Sequence, residues 1–329
     1  MGGYIARRVF TMTWMLVLLS IIVFVLFNAV PADPAALTCG KACTPQVIEA
    51  NRERLGLDKP LTEQYVEWVK GIFVGRTYGS GEASFECSAP CLGYSFLKRE
   101  EVTDLLVERF PVTASIAFGA VILWLGLGVT SGIFAALRRG QWQDKTITAV
   151  AMFFYSFPTF FIGLVLLFFV VIRWGLLPYP SWIPLTEDPW GWFQTMILPW
   201  FTIALISAGF YTRLTRSQML ETLGEDYIRT ARSKGLPERT VIRKHGLRAG
   251  LTPIVTATGL DLAFLLGGAI IAETIFTLPG IGKLFLDSAT TLDLPVLAAT
   301  TLVAGAFVLI ANLVVDLFYG VIDPRVRLG

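Results

Sequence analysis

The sequence predicts an all-α membrane protein with six transmembrane helices. Of its 329 residues, 54% are hydrophobic and only 16% are charged, and the mean hydropathy is +0.63. Soluble domains carry about a quarter charged residues, so this composition argues against a soluble protein. A net charge of +2, from 27 basic and 25 acidic residues, also argues against nucleic acid as a partner.

Six apolar stretches are each long enough to cross a bilayer, which takes about 20 residues. They cover approximately residues 9–30, 112–137, 147–172, 193–211, 251–276 and 296–321. The first is longer than a signal-peptide core of about 7–15 residues, so we expect an uncleaved span. Pro158 predicts a kink in the third span. Gly267 and Gly268 predict close helix packing in the fifth.

The distribution of basic residues predicts that both termini are cytoplasmic. That orientation places 16 of the 27 Lys and Arg residues inside, nine of them in the loop after the fourth span. The two short outer loops contain only Arg173 and Lys283. Lys and Arg collect on cytoplasmic loops. We therefore expect three parts: a tail and first span (1–31), an extracytoplasmic segment (32–110) and a five-helix core (111–329) that contains a cytoplasmic loop (213–250).

All four cysteines fall in the predicted extracytoplasmic segment. They are Cys39, Cys43, Cys87 and Cys91. Because disulfides persist in oxidising compartments, we expect two disulfides, with three connectivities open. A four-cysteine zinc site is the alternative, although zinc sites more often use C-x2-C than the C-x3-C found here.

The same segment contains signals for short elements. Thr44 is suited to cap a helix and Pro45 to begin it. The expected elements are a helix over 45–55, a second over 61–72, a loop over 75–93 and an amphipathic stretch over 100–109 that leads into the second span.

Residues 225–248 predict a helix, a sharp turn and a second helix. Glu225 and Asp226 favour a helix N-terminus, and Arg232 and Lys234 favour its C-terminus. Gly235 suits the left-handed residue that ends a helix. Pro237 suits the first turn of the next helix, and the small residues Thr230, Ala231 and Ser233 allow another surface to come close. We therefore expect a docking element for a protein partner, with a basic loop held by lipid headgroups as the alternative.

Three acids lie within or near the predicted spans: Asp261, Glu273 and Asp316. A charged side chain inside a bilayer costs about 2.5–3.5 kcal/mol on insertion scales. We expect Asp261 at a helix interface or in the transport path, and Glu273 and Asp316 to reach water near span ends. For all three a structural role is favoured over substrate contact. His245 is the only histidine and is expected on the docking helix.

Several motifs resemble the inner-membrane permease subunits of ATP-binding-cassette importers. The general E-A-A-x3-G pattern of that family is matched at Ala231 and Gly235. The peptide/nickel branch is matched more fully, and the long segment after the first span is similar to the larger-loop member of its permease pair. The motifs are L-G-Y-S-F (92–96), E-R-F-P-V-T (108–113), D-Y-I-R-T-A-R-S-K-G-L (226–236), R-K-H-G-L-R-A-G-L-T-P (243–253), E-T-I-F-T-L-P-G-I-G (273–282) and D-L-F-Y-G-V-I-D-P-R-V-R (316–327).

This resemblance implies the transmembrane subunit of a bacterial inner-membrane importer, which forms half of a path for peptides. The implied partners are a second homologous permease, two cytoplasmic ATPase subunits, an extracytoplasmic binding protein and membrane lipid. The chain lacks a G-x-x-x-x-G-K-S/T sequence, so we expect it not to be an enzyme and to hold no cofactor, with ATP and magnesium in the partner subunits. Alternatives are the same machine carrying nickel or oligosaccharides, a secondary transporter and a membrane scaffold.

The resemblance also implies two contact sites. The expected ATPase-coupling residues are Glu225, Asp226, Arg229, Thr230, Ala231, Arg232, Lys234, Gly235, Leu236 and Pro237. The outer segment and the 277–294 loop are the expected contact for the binding protein, through Pro279, Gly280 and Gly282. A plain connecting loop is the alternative for the second site.

Overall fold

The computed structural model describes residues 2–29, 35, 44–78 and 85–322, and α-helices dominate this part of the chain. The chain divides into two compact units. The first contains residues 1–113, 266–270 and 279–329, and the second contains residues 114–265 and 271–278. The first helix, α1 (Gly2–Phe24), continues as a π-helical segment (Val25–Ala29).

The segment between the first two long helices holds short elements of both kinds. Its helices are α2 (Pro45–Leu55) and α3 (Leu61–Val74), and its strands are β1 (Arg76–Tyr78), β2 (Phe85–Cys87), β3 (Tyr94–Ser95) and β4 (Glu100–Glu101). The Thr44 hydroxyl accepts a hydrogen bond from the Val47 amide at 3.4 Å, as the predicted cap requires. The expectation of a loop over 75–93 is wrong in part, because β1 and β2 pair antiparallel.

Cys87 and Cys91 form a disulfide, which confirms one of the expected bonds and pairs the two cysteines of one C-x3-C. Both are almost completely buried beside the aromatic rings of Tyr78, Tyr94 and Phe96. Cys39 and Cys43 lie outside the described residues.

In the first unit, the start of the second long helix packs against two helices near the end of the chain. Helix α4 (Val102–Leu137) begins ten residues before the predicted span and includes the amphipathic stretch. It packs with α12 (Ile281–Thr291) and α13 (Leu294–Ile322), while α1 packs along α13. The core shared by α4, α12 and α13 is formed by Val102, Leu105, Leu106, Ile281, Leu284, Val296 and Ala299. The Thr113 hydroxyl accepts the Ile281 amide at 2.9 Å, which fixes the start of α12.

The third predicted span is two helices rather than one kinked helix. Helix α5 (Trp142–Tyr155) and the stretch Thr159–Arg173, which begins with α6 (Thr159–Leu166), are bent by 95°. Pro158 stands at the break and lacks the amide that would continue the helical ladder. The predicted kink is thus confirmed in place and is larger than expected.

Helix α7 (Pro189–Gly224) is the central element of the second unit. The Asp188 carboxylate caps its N-terminus by accepting the Trp190 amide at 3.1 Å. Gly119, Gly128 and Gly132 of α4 face α7, and a Cβ at any of them would collide with Trp200, Tyr211 or Thr215. Small residues let membrane helices approach closely, so these glycines explain the packing.

The fifth apolar stretch is interrupted at its glycine pair. Helix α10 (Thr252–Leu266) ends there, and a short helix α11 (Ile270–Ile275) follows. Gly268 has φ +135°, and a Cβ on it would lie 2.6 Å from the Gly282 Cα. The pair therefore gives the predicted close packing and also ends the helix.

The described helices fit a six-span protein. Four are long and apolar enough to span: α4, α7, the stretch Ala6–Phe27 and the stretch Leu294–Val314. Two bent pairs bring the number to six if each is one span: α5 with Thr159–Arg173, and Glu238–Gly250 with α10.

Candidate functional site

The predicted helix–turn–helix is present and forms a hairpin, which we define as α8 (Asp226–Ser233), the turn 234–237 and α9 (Glu238–Gly250). Gly235 has φ +76°, the left-handed conformation that the sequence predicts. Its amide donates to the Arg232 carbonyl at 2.9 Å, and the Leu236 amide donates to the Ala231 carbonyl at 3.4 Å. These bonds satisfy carbonyls at the end of α8, as a glycine C-terminal cap does.

One side of the hairpin is apolar and anchored. Ile228 and Val241 are fully buried, and with Ala231 they form a cluster against Leu223 at the end of α7. Only Glu225 separates α7 from α8. The hairpin is therefore fixed to the last turn of α7.

The other side of the hairpin is polar and exposed. Nine of the ten predicted coupling residues are exposed, and Ala231 is the buried exception. The small size of Ala231 thus serves packing within the hairpin. The exposed residues are Glu225, Asp226, Arg229, Thr230, Arg232, Lys234, Gly235, Leu236 and Pro237.

An ion pair closes the turn. The Arg232 guanidinium donates to both carboxylate oxygens of Glu238, at 2.7 and 3.1 Å. These hydrogen bonds hold the pKa of the Glu238 carboxyl below its usual value. Both side chains are largely exposed, so the pair contributes at most about 1 kcal/mol. Pro237 precedes α9 by one residue, rather than standing in its first turn as predicted.

A buried ion pair lies close to the hairpin along α7, between Asp144 of α5 and Arg216 of α7. The side chain of Asp144 is only 5% exposed. The sequence analysis did not find this pair, because neither residue indicates which helix lies opposite it. The only signal in the sequence is an acid three residues before a long apolar stretch.

The loop predicted to contact a binding protein does not fully expose the three residues that were expected to make the contact. Gly280 and Gly282 are buried, and Pro279 is half-buried. Gly280 caps α12, and Gly282 packs against the backbone of Ile270. These residues shape the loop, and its exposed side chains include Leu286, Asp287 and Leu292.

The three predicted intramembrane acids differ from one another. Asp261 is half-buried and accepts a hydrogen bond from the Tyr211 hydroxyl at 2.7 Å, which supplies the partner that the sequence could not name. The Tyr211 ring stacks on Trp124 with 5.8 Å between centroids. Glu273 is fully buried, so the expectation that it reaches water is wrong. The backbone of Asp316 lies in α13, and its side chain is outside the described part.

Asp293 is an acid that the sequence analysis missed. Its carboxylate is 3% exposed, accepts the Ser95 hydroxyl at 2.5 Å and caps α13 by accepting the Val296 amide. Burial raises the pKa of this carboxyl, although both hydrogen bonds oppose the shift. Ser95 belongs to the L-G-Y-S-F motif, so this contact gives that motif a structural role.

Helices long enough to span a bilayer, with an exposed polar hairpin fixed to one of them, define a multi-pass membrane protein. Residues 128–328 match the family described as binding-protein-dependent transport system inner membrane component. Residues 1–117 match the N-terminal domain of the same systems. The chain therefore belongs to this family of inner-membrane permeases.

Two relatives have names that describe permeases of transport systems. A protein of Brucella abortus (strain 2308), whose name describes a peptide transport system permease, is 36% identical over 329 residues and 99% of each chain. The glutathione transport system permease protein GsiC of Escherichia coli (strain K12) is 35% identical over 327 residues and 99% of each chain.

The fold also matches a solved transporter. Inward-facing MetNI, a methionine ABC transporter, has a chain that is 19% identical to this one with a TM-score of 0.53. The match covers 67% of this chain and 96% of that one. The comparisons confirm the resemblance deduced from the motifs: the chain is an ABC importer permease subunit of the inner membrane.

Proposed function

We propose that this chain forms half of the translocation path for peptides in an ATP-driven importer. Two ATPase subunits on the cytoplasmic side would bind ATP and magnesium and receive the hairpin. A second homologous permease would complete the path, and an extracytoplasmic binding protein would deliver the peptide. The observation that carries the proposal is the two-sided hairpin, which is anchored by Ile228 and Val241 and polar on its exposed side.

The hairpin is suited to transmit movement. Helix α7 has 36 residues, which at 1.5 Å per residue makes it about 54 Å long. It ends one residue before α8, and the hairpin cluster packs on Leu223 of its last turn. A displacement of the exposed side by an ATPase would therefore move the end of α7. Coupling of this kind needs only contacts that differ between two states of the partner.

The orientation follows from charge. Among the exposed residues of the hairpin are Arg229, Arg232, Lys234 and Arg239. Such basic segments remain on the cytoplasmic side of a membrane. Both termini then lie in the cytoplasm, and the segment between α1 and α4 lies outside.

Peptides are the substrate class that the relatives support best, since their names describe peptide and glutathione transport. Nickel and oligosaccharides are the alternatives for the same machine. A secondary transporter or a scaffold would be an alternative of a different class.

Reconstitution tests the proposal. The chain would be purified with its co-expressed partners, placed in liposomes with ATP at the hairpin side, and supplied with binding protein and labelled peptide. We expect peptide uptake that needs ATP and binding protein together. Uptake driven by an ion gradient without ATPases would show a secondary transporter, and assembly without uptake of peptide, nickel or oligosaccharide would show a scaffold.

A matched pair of variants tests the docking role. Arg229→Asp reverses a charge on the exposed side of the hairpin, and Arg139→Asp reverses one in the exposed turn between α4 and α5. We expect Arg229→Asp alone to lower recovery of the ATPases in purification. Equal recovery from both variants would place the ATPase contact elsewhere.

A further inference from the structure

Helix α3 (Leu61–Val74) packs on the first span through aromatic side chains. The rings of Tyr65 and Trp68 lie 5.4 and 5.9 Å from the ring of Phe24. The Tyr65 hydroxyl is 2.8 Å from the hydroxyl of Ser20. One side of α3 is therefore held against α1.

These contacts fix the depth of α3 relative to the membrane. Ser20 and Phe24 belong to the spanning stretch Ala6–Phe27, and Ser20 stands seven residues before its end. At 1.5 Å per residue this is about 10 Å. Helix α3 thus lies beside the last turns of the span rather than beyond them. This is the depth of the boundary between headgroups and acyl chains, where amphipathic helices lie about 5–10 Å deep and where Tyr and Trp are enriched.

A second side of α3, next to the one that contacts α1, is mainly apolar. Thr62, Val66, Val69 and Phe73 are spaced by four, three and four residues, so they line one side of the helix. Val66 is 61% exposed and Phe73 is 76% exposed. A large apolar surface of this kind marks a contact with a membrane or a protein.

A third side of α3 is charged. Glu63, Glu67 and Lys70 are exposed there, before Val74 in the last turn, and Glu67 pairs with Lys59 at 2.5 Å. The helix therefore presents charged residues to water and apolar residues on two other sides. This separation is typical of a helix that lies in the plane of a membrane surface.

The span on which α3 packs has the surface of a lipid-facing helix at the same level. Ile22, Val25 and Leu26 are 56%, 45% and 51% exposed. Lipid already covers such side chains on a spanning helix. A helix that packs on these turns of the span is bathed by the same lipid.

We propose that α3 is an interfacial helix whose stripe, Thr62, Val66, Val69 and Phe73, inserts into the leaflet at the C-terminal end of α1. With the orientation proposed above, this is the outer leaflet. The inference places one helix of the predicted extracytoplasmic segment (32–110) in the membrane surface. It would also fix the outer segment to the membrane surface independently of any partner protein.

Site-directed fluorescence tests the proposal in the assembled complex in nanodiscs. Val66→Cys and Phe73→Cys place a label on the stripe, and Glu63→Cys and Lys70→Cys are matched controls on the charged side of the same helix. Each variant is labelled with bimane maleimide, and the parent chain labelled in parallel corrects for the native cysteines. Lipids carrying a nitroxide near the start of the acyl chain report lipid contact, and iodide reports water contact.

We expect blue-shifted emission, quenching by the nitroxide lipid and protection from iodide at positions 66 and 73, with the reverse at 63 and 70. Iodide quenching at all four positions would place α3 in water and overturn the proposal. Protection of 66 and 73 from both quenchers would also overturn it, because the stripe would then be covered by the second permease or the binding protein. Equal quenching by lipid at all four positions would exclude the predicted orientation of the helix.

Discussion

The Asp144 carboxylate and the Arg216 guanidinium form a bidentate ion pair between α5 and α7. Nε and Nη2 of Arg216 donate to the two carboxylate oxygens at 2.6 and 2.7 Å. The same carboxylate accepts the Gly140 amide at 2.9 Å. Arg216 stands eight residues before the end of α7, where the hairpin begins. The pair therefore joins a second helix to the part of α7 from which the hairpin extends.

Removing one partner of this pair should destabilise the protein. Asp144→Ala would leave the Arg216 charge without its carboxylate in a largely buried place, at a cost of about 3 kcal/mol, the lower end of the range for buried pairs because Arg216 is partly exposed. Arg216→Lys should also lose stability, since an ammonium lacks the two parallel N–H groups with which a guanidinium matches the two carboxylate oxygens. Thermal denaturation in nanodiscs measures both effects. The paired replacement Asp144→Leu with Arg216→Met should recover most of the loss, and a single variant as stable as the parent would contradict the role of the pair.

A substitution at Gly235 should act through the backbone conformation of the turn and not through a steric clash. Among the described residues, no atom beyond those of the chain neighbours lies within 4 Å of a Cβ built on Gly235, so a substitution meets open space but must adopt φ +76°. Gly235→Val should therefore strain the turn, abolish uptake and lower ATPase association, because a β-branched residue disfavours this conformation. Gly235→Asn is the matched control, since Asn tolerates the left-handed region, and it should retain most of both. Full uptake and normal assembly of the Val variant would contradict the importance of the turn.

Burial of the Asp293 carboxyl should make stability depend on pH. Burial raises the pKa of Asp293 in the folded protein, so folding favours its neutral form and stability falls as pH rises through this raised value. Ser95→Ala removes a hydrogen bond that favours the carboxylate. It should raise the pKa further and cost about 2 kcal/mol at high pH, with a smaller cost at low pH.

Asp293→Asn is the control for this prediction. Asn can still cap α13 and accept the Ser95 hydroxyl, but it does not ionise. Unfolding measured in nanodiscs from about pH 4, the ordinary pKa of an aspartate, upward should therefore show a weaker pH dependence in Asp293→Asn than in the parent. The same slope in parent, Ser95→Ala and Asp293→Asn would show that other groups cause the pH dependence.

The features that the sequence predicted correctly depend on neighbours in the chain. The Thr44 cap, the turn at Gly235 and the break near Pro158 each follow from the conformational preference of one residue and those beside it. The same is true of the apolar stretches, whose length alone determines whether they can span. The motifs indicated the family, because several of them occur in the expected order along the chain.

The features that the sequence did not predict depend on which helices meet. Asp144, Glu273 and Asp293 are acids in or beside apolar stretches, and only the fold shows that Arg216 and Ser95 lie opposite two of them. Glu273 follows a glycine pair at which α10 ends, so one continuous helix does not carry it to water, and it lies fully buried in α11. The 95° bend at Pro158 likewise exceeds what a single proline dictates, and the helices on both sides of the bend pack on α7.

The hydrogen bond between Tyr211 and Asp261 should stabilise the fold, and the Asp261 carboxylate should not contact the substrate. Tyr211 is fully buried and its hydroxyl donates to Asp261, so Tyr211→Phe should cost about 1–2 kcal/mol by leaving the carboxylate without this bond. Asp261→Asn keeps an acceptor for the hydroxyl, and we expect normal assembly and unchanged uptake per complex. Uptake of labelled peptide by reconstituted complexes, divided by the amount of assembled protein, measures the second effect. Loss of uptake in Asp261→Asn at normal assembly and stability would instead place this carboxylate in the path of the peptide.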